Sequence, residues 1–247
     1  MDATSLVLLC AVAYLPPLIY AVWIRNTEHY EREHWKPIAL CFLWGATIAV
    51  IAAFILEYVL DISLTLSIYD ENILGLVLVI VVAPCVEEFT KPLALRMKTV
   101  KRELDEPEDG FIYGAVAGLG FSATENLLYG FNFLSEGLFV FIVLMAMRSI
   151  GGCLLHASAT SLTGYGYGKT LMRRTTWLNV LPYFLLAIAL HGFYNLLVSA
   201  DILGVASGLS VALLLVVGTI TFIRRRIKTL DEQSADNILV ERQEKYS

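Results

Sequence analysis

Two adjacent carboxylates and an ammonium interrupt an apolar stretch of this sequence. Glu87, Glu88 and Lys91 follow an apolar run from residue 73 to residue 82. A charged side chain at the centre of a bilayer costs at least ~2.5–3.5 kcal/mol on insertion scales, so charges in such a segment indicate a functional site. Two neighbouring carboxylates in a low-dielectric site cannot both ionise easily, so the pair is suited to accepting and returning a proton. The spacing therefore predicts acid–base chemistry inside a membrane.

Further polar side chains recur at i, i+4 spacing in later apolar segments, which places each set on one face of a helix. These sets are Phe121 and Glu125 followed by Asn126; Arg148, Gly152, His156 and Thr160; and His191 with Asn195. Lys91 and Arg148 are expected to be counter-ions of the glutamates, because paired charges are the cheapest to bury. Glu125, Asn126 and His156 are consistent either with structural hydrogen bonds between helices or with a share in catalysis.

Hydrolysis of a peptide bond is a scheme that uses this set of residues. One glutamate of the Glu87–Glu88 pair would activate a water molecule as a general base. His191 and Asn195, one helical turn apart, would donate hydrogen bonds to the oxyanion. The sequence contains neither Gly-x-Ser-x-Gly nor His-Glu-x-x-His. The residues thus predict an intramembrane endopeptidase of glutamic type.

A metal-dependent variant of this scheme stays open. Zinc sites usually contain two or three His or Cys ligands. The predicted helices contain only His156 and His191, on different helices, so we expect no cofactor. The alternative is a zinc ion held by residues from all four polar helices, namely Glu87, Glu88, Glu125, His156 and His191.

The elements that must position these residues are transmembrane helices. The chain has 247 residues, is 57% hydrophobic and 17% charged, and has a mean hydropathy of +0.67, which excludes an ordinary soluble domain. Its apolar runs are long enough to cross ~30 Å of hydrocarbon. We predict an all-α polytopic membrane protein, a bundle of about seven transmembrane helices: Leu6–Ile24, Pro37–Leu60, Ile73–Arg96, Phe111–Phe131, Leu138–Tyr165, Trp177–Ser199 and Leu203–Ile223.

Basic residues predict the orientation of the bundle. Every Lys and Arg except Lys91 and Arg148 lies in alternate connections or in the C-terminal tail, and the intervening connections carry acids, namely Asp61, Asp70, Glu71, Glu136 and Asp201. The positive-inside rule places the N-terminus outside and the C-terminus in the cytoplasm. We predict a single transmembrane domain, 1–226, with a catalytic core at 73–198. A polar cytoplasmic tail, 227–247, is expected to be disordered or a short surface helix.

Simple helix geometry does not bring Glu87, Glu125 and His191 to one depth in the bilayer, as a shared site would require. At 1.5 Å per residue, Glu87 lies roughly 22 Å from the outer end of its helix, and Glu125 and His191 lie about as far from the inner ends of theirs. Straight helices would leave these groups on opposite sides of the bilayer midplane. Bends at Pro84, Pro92 and Pro182 are expected to close the gap.

Taken together, the three spaced motifs resemble those of the PrsW family of intramembrane proteases, which is related to the type II CAAX prenyl proteases and bacteriocin-immunity-type membrane proteins. The motifs are Glu87-Glu88-x-x-Lys91, Phe121-x-x-x-Glu125-Asn126 and His191-x-x-x-Asn195, and the resemblance runs from about Ile73 to Val198. It implies that Glu87 and Glu88 are an essential pair, one of which activates water, and that His191 is essential, with Asn195 helping it to hold the oxyanion. Where the prenyl proteases have His in the second motif, this chain has Glu125.

The resemblance also implies partners and a location. The substrate would be a membrane-anchored protein, such as a single-pass protein resembling an anti-sigma factor, cleaved by a multi-pass protein of the cell membrane in contact with the lipid bilayer. The net charge of −5 and the lack of a basic domain exclude a nucleic-acid partner. Two other classes stay open: a non-catalytic membrane scaffold of the same superfamily, and a proton-coupled transporter, since membrane Glu and His chains also relay protons.

Overall fold

The computed structural model describes residues 3–200 and 203–246. This part of the chain forms seven long helices and no strand. Asp201, one of the acidic residues in the orientation argument, lies outside the described residues. The helices are α1, Ala3–Arg25; α2, Trp35–Thr65; α3, Glu71–Arg96; α4, Asp109–Phe133; α5, Leu138–Arg173; α6, Leu181–Ser199; and α7, Val205–Tyr246.

The predicted class, an all-α polytopic membrane protein, is confirmed. Six helices of the described chain are long and apolar enough to cross a membrane, namely α1, α2, α3, α5, α6 and α7. The fourth predicted span corresponds to α4, which does not reach that hydropathy. Most of its residues are buried between neighbouring helices, so α4 forms the centre of the bundle. The count of seven spans and their orientation stay predictions.

Small residues allow α4 and α5 to pack closely. Gly114 and Gly118 of α4 face the backbone carbonyls of Thr160 and His156 on α5, and a β-carbon at either glycine would overlap those oxygens. Such rows of small residues let membrane helices approach each other. The close approach at Gly118 fixes the backbone of His156, and so connects helix packing to the polar site.

The helix that carries the two glutamates is irregular on both sides of them. α3 begins at an N-cap, where the Asp70 carboxylate accepts hydrogen bonds from the Asn72 and Ile73 amides. It then has a π-helical turn at Leu78–Val82, an α-helical section at Ala83–Thr90 and a 3₁₀ section at Lys91–Arg96. Proline cannot donate the usual helical hydrogen bond, and Pro84 and Pro92 lie at the start of the second and third sections. The weakening that the two prolines predict is therefore present.

The helix ends on the basic side of the bundle are held together by the last helix. α7 continues through Arg226 without a break, so the described part of the predicted tail is helical. Asp231 of this extension is buried and accepts hydrogen bonds from the amides of His29 and Tyr30 in the α1–α2 connection. The side chains of His29 and His34 are exposed. The boundary that we predict between domain and tail at 226 stays a prediction.

Candidate active site

The predicted polar residues of the later helices meet at one cavity. The cavity has a volume of about 640 Å³ and lies between α2, α3, α4, α5 and α6. The predicted residues that line it are Glu87, Phe121, Glu125, Arg148, His156, His191 and Asn195. Glu88, Lys91 and Asn126 lie behind the wall of the cavity and are fully buried. The helix faces predicted from i, i+4 spacing thus do converge.

Glu87 is the point on which the other groups converge. Its Oε2 atom accepts a hydrogen bond from Lys91 Nζ at 2.7 Å. His156 Nδ1 lies 3.6 Å from the same oxygen, and His191 Nε2 lies 4.0 Å from it. An ammonium and two imidazoles therefore surround one carboxylate oxygen at the wall of the cavity.

Glu88 has a different environment from its neighbour. Its Oε1 atom lies 2.9 Å from both Lys91 Nζ and His191 Nδ1, and its Oε2 atom accepts from Thr160 Oγ1 at 2.8 Å. These contacts use both oxygens of a carboxylate that has no exposure to solvent. Glu88 is therefore placed to position Lys91 and His191, whereas Glu87 faces the cavity.

Glu125 and Arg148 form an ion pair on the far side of His156. Glu125 Oε2 lies 2.7 Å from His156 Nε2 and 2.9 Å from Arg148 Nη2. Arg148 Nε also donates to Asn126 Oδ1 at 2.9 Å, and its guanidinium stacks 3.8 Å from the centre of the Tyr129 ring. Arg148 thus has the carboxylate partner expected of a buried counter-ion, as Lys91 does.

The hydrogen-bond partners assign the imidazole tautomers. Lys91 can only donate, so His156 Nδ1 accepts and His156 Nε2–H donates to Glu125. Glu88 accepts from His191 Nδ1–H, which leaves the lone pair of Nε2 free. Carboxylates that hold one ring nitrogen in this way orient a histidine and raise the basicity of the other nitrogen. Around Glu87 the lone pair of His191 Nε2 is therefore free, whereas that of His156 Nδ1 is occupied by Lys91.

The donor set matches the chemistry of a zinc site. Glu87, Glu88, His156 and His191 each offer one ligand atom, and these atoms all lie within 4.8 Å of one another. Two imidazoles with carboxylates are a ligand type found in catalytic zinc centres. Glu125, the fifth residue named for this alternative, contacts the outer nitrogen of His156 and is outside the set. Lys91 Nζ contacts three of these four residues, Glu87, Glu88 and His156, and its ammonium lies 4.4 Å from the centre of the Phe121 ring.

Asn195 binds backbone in this structure. Its Nδ2 atom donates to the carbonyl oxygen of Val79 at 2.9 Å, in the π-helical turn of α3. The residue lines the cavity one helical turn from His191. Its predicted share in holding an oxyanion stays a prediction, and its observed contact joins α6 to the helix that carries Glu87.

Residue spacing missed two contributors to the cavity. Glu57 of α2 lines the cavity. This carboxylate stands within a predicted apolar span, so the cost of burying its charge was a signal that could have identified it. Tyr194 also lines the cavity, where its hydroxyl closely approaches Gly151 on α5. Only the packing of α6 on α5 reveals this second contact.

The expected offset in depth is bridged by His156. Glu87 and Glu125 contact opposite ring nitrogens of this one side chain, so the two carboxylates need not lie at the same level. The 3₁₀ section of α3 also lengthens the helix, since it rises ≈ 2.0 Å per residue instead of 1.5 Å. A site assembled from α3, α4, α5 and α6 therefore does not require level helices.

Comparisons with known proteins identify relatives of this chain. A family described as PrsW family intramembrane metalloprotease matches residues 33–223. The chain is 36% identical over 122 residues to Protease PrsW of Clostridioides difficile (strain 630), which covers 49% of this chain and 50% of that relative. It is 30% identical over 180 residues to Protease PrsW of Geobacillus kaustophilus (strain HTA426), which covers 70% of this chain and 72% of that relative. The first match thus spans half of that relative's length. No solved structure matches the chain.

Proposed function

Because the chain belongs to the PrsW family of intramembrane metalloproteases, we propose that it hydrolyses a peptide bond of a membrane protein at the wall of the cavity beside Glu87. The observation that carries this proposal is the convergence of Lys91 Nζ, His156 Nδ1 and His191 Nε2 on Glu87 Oε2. Membership of a peptidase family favours hydrolysis over the scaffold and transporter alternatives.

The same residues fit a catalytic zinc ion. We assign Glu87, His156 and His191 as its holders, since their donor atoms face one another and include two imidazole lone pairs. A bound zinc ion supplies a water molecule that ionises near neutral pH and polarises the carbonyl to be attacked. Glu88 and Glu125 then act as the carboxylates that orient His191 and His156. Lys91 must leave its present contacts with Glu87 and His156 for those atoms to hold a metal.

Glu87, Lys91 and Arg148 have further roles in this reaction. A water that Glu87 activates must lie within hydrogen-bond reach of its carboxylate, at ≈ 2.6–3.2 Å between heavy atoms. Where no metal is bound, Lys91, whose ammonium lies beside Glu87 Oε2, stabilises negative charge that develops during attack. Arg148 pairs with Glu125, which in turn accepts a hydrogen bond from His156 Nε2–H and so orients that imidazole.

The glutamic scheme is the second candidate, and the position of Lys91 favours it. The Lys91 ammonium already neutralises charge on Glu87 and Glu88, so no metal ion is needed as their counter-ion. In this scheme Glu87 is the general base for water, and His191 with Asn195 stabilises the oxyanion. The two schemes share Glu87 and His191 and differ in the role of His156.

We propose as substrate a membrane-anchored protein with a single span, of the kind that anti-sigma factors represent. The cavity walls support this choice, because side chains such as Val50, Phe54, Leu78 and Leu144 surround the carboxylates. An apolar segment can enter such a cavity from the bilayer, and its backbone can then meet Glu87.

The test is cleavage by purified protein. Single-pass membrane proteins would be incubated with the full chain in detergent and their fragments identified by mass spectrometry. Glu87→Gln and His191→Ala should lower the cleavage rate about 100- to 1000-fold or more, as loss of a transition-state group does. Glu71→Gln, an exposed substitution on the same helix, is the matched control and should cleave like the wild type. Unchanged cleavage by both site variants would refute the proposal.

Metal dependence separates the two schemes. The zinc scheme predicts stoichiometric zinc in active protein, loss of cleavage after phenanthroline treatment and recovery when zinc is returned. It also predicts that His156→Ala loses zinc. Full activity after exhaustive chelation, with no metal by elemental analysis, would leave the glutamic scheme as the mechanism.

A further inference from the structure

A second set of carboxylates lies where the α1–α2 connection, the segment before α4 and the extension of α7 meet. We refer to Glu28, Glu33, Glu106, Glu108, Asp109 and Asp231 as the acidic cluster. All of its members except Glu106 are more than nine-tenths buried. Between residues 3–200 and 203–246, none of these carboxylates has a basic side chain within 4.0 Å. The cluster therefore lacks the counter-ions that protect the carboxylates of the cavity.

Three arginines contact the α1–α2 connection through groups other than its carboxylates. Arg25 Nε donates to the backbone carbonyl of Glu33 at 2.6 Å, and Arg32 Nε donates to that of Glu28 at 2.8 Å. Arg224 Nε donates to the hydroxyl of Thr27 at 2.8 Å. These guanidiniums hold the connection between α1 and α2 in place but do not neutralise the buried carboxylates of Glu28 and Glu33.

The cluster contains two triads, and hydrogen bonds satisfy most of the first. Glu28, Glu33 and Asp109 offer ligand atoms within 4.8 Å of one another. Glu33 accepts from the Tyr113 hydroxyl, and Glu28 Oε2 accepts from the Glu33 amide. Asp109 Oδ2 accepts from the amides of Asp105 and Glu106. Among the fully buried side-chain oxygens of this triad in the described residues, Glu28 Oε1 is left without a partner.

The second triad holds an unsatisfied carboxylate. Glu106, Glu108 and Asp231 also offer ligand atoms within 4.8 Å of one another. Glu108 has no exposure to solvent, and within the described chain neither of its oxygens has a hydrogen-bond partner. Burial, with added repulsion from Glu106 and Asp109, raises the pKa of Glu108 to about 8. A buried polar group without partners is costly unless something compensates it.

We propose that Glu106, Glu108 and Asp231 bind a hard divalent cation, Ca²⁺ or Mg²⁺. The ligands are all carboxylate oxygens with no His or Cys among them, which is the donor chemistry that these ions prefer and that zinc does not. Glu106 is only partly buried and so leaves a route from solvent to the triad. The partnerless oxygens of Glu108 are those that the ion would satisfy.

The position of the triad gives the ion a structural consequence. Asp231 belongs to α7 and already binds the amides of His29 and Tyr30, whereas Glu106 and Glu108 precede α4. An ion shared among them fastens α7 and the α1–α2 connection to the entry of α4. Since α4 carries Phe121 and Glu125, the site would anchor the central helix from outside the cavity.

The experiment measures cation binding by the full chain in detergent after removal of metals with a chelator. Calcium and magnesium are titrated separately by calorimetry, and the unfolding temperature is measured with and without each ion. We expect one saturable equivalent of at least one of the ions and a higher unfolding temperature in its presence. Glu108→Gln should weaken that affinity on the order of tenfold or more, as loss of a metal-site carboxylate does.

Controls make the outcome specific. Asp105→Asn removes the same charge from an exposed position of the same segment and should bind within about twofold of wild type, because Asp105 is no member of the triad. In chelator at a pH above about 8, where Glu108 ionises, Glu108→Gln should unfold at a higher temperature than wild type, since it removes an unpartnered buried charge. Glu106→Gln, partly exposed, repeats the binding test at a second ligand. No saturable binding of either ion by wild type, or binding by Glu108→Gln and Glu106→Gln that is as tight as in wild type, would overturn the proposal.

Discussion

Lys91 is the side chain on which the two catalytic schemes disagree. Its ammonium lies 2.7 Å from Glu87 Oε2 and 2.9 Å from His156 Nδ1, which are the atoms assigned to a metal. Removing one partner of a buried ion pair typically costs ~3–5 kcal/mol. In chelator, Lys91→Met should therefore lower the free energy of unfolding by about that amount, measured by denaturant unfolding. If zinc replaces the ammonium, added zinc should restore the stability of this variant, and an absence of any zinc effect would count against the metal scheme.

Glu87 and Glu88 should respond differently to the same isosteric change. Glu88 accepts from Lys91, His191 and Thr160, whereas Glu87 accepts one hydrogen bond and faces the cavity. Glu88→Gln should therefore lower both the unfolding temperature and cleavage, because hydrogen bonds to a charged group contribute ≈ 1.5–3 kcal/mol each. Glu87→Gln should mainly lower cleavage. Thermal unfolding beside the cleavage assay checks this, and equal losses of stability in both variants would show that the two carboxylates are not divided in role.

At this scale the sequence predicted the members of the site better than their roles. Spacing and the cost of buried charge identified Glu87, Glu88 and His191, and all three lie together. Which glutamate faces the cavity depends on Thr160 packing against Glu88, and this contact comes from the approach of α5 to α3. Spacing along one helix carries no information about that approach.

The close packing of α4 on α5 is testable at the level of the helix pair. A β-carbon at Gly118 would overlap the carbonyl oxygen of His156, whereas nothing lies within 4 Å of a β-carbon at Gly218 on α7. Gly118→Ala should destabilise the protein by about 1–3 kcal/mol, as overpacking of a tight interface does. It should also lower cleavage, because the shift moves His156. Thermal unfolding and cleavage rate measure the two effects.

Gly218→Ala is the matched control for that variant. Replacing glycine by alanine in an open helical position usually stabilises a helix by roughly 0.5–1 kcal/mol. The control should therefore unfold at the same or a slightly higher temperature than wild type and cleave normally. A Gly118→Ala protein as stable and active as the Gly218→Ala protein would mean that this contact does not position His156.

Irregular helices explain why element geometry was the hardest part to predict. π-helical turns interrupt α2 at Gly45–Ala49, α3 at Leu78–Val82 and α5 at Arg148–Gly152. Such turns are frequent at functional sites and rotate the following residues relative to a regular helix. Prolines indicated the irregularity in α3, but no proline marks the turns in α2 and α5. Ideal helical spacing therefore overestimates how far apart the polar groups lie.

For the whole molecule, composition predicted the class of polytopic membrane protein, but hydropathy did not identify α4 as the central helix. Apolar content alone predicts a polytopic bundle, and six helices of the described chain have the length and composition of spans. The most enclosed helix, α4, is rich in glycine, alanine and polar residues and is less apolar than the helices around it. A helix that contacts protein on most sides needs small residues for packing more than lipid-facing apolar ones. Hydropathy thus reports contact with lipid better than position in the bundle.

Charge patterning predicts the orientation of the bundle in the membrane, and labelling of the connections tests it. Tyr69 in the connection 61–72 is 92% exposed, and Lys101 in the connection 99–108 is exposed as well. In a variant whose four native cysteines are replaced, Tyr69→Cys should react with an impermeant thiol reagent added to intact cells. Lys101→Cys should react only after the cells are opened, because the basic residues near it hold that connection in the cytoplasm. The opposite labelling pattern would show that the bundle has the reverse orientation, with the acidic cluster before α4 on the outside of the cell.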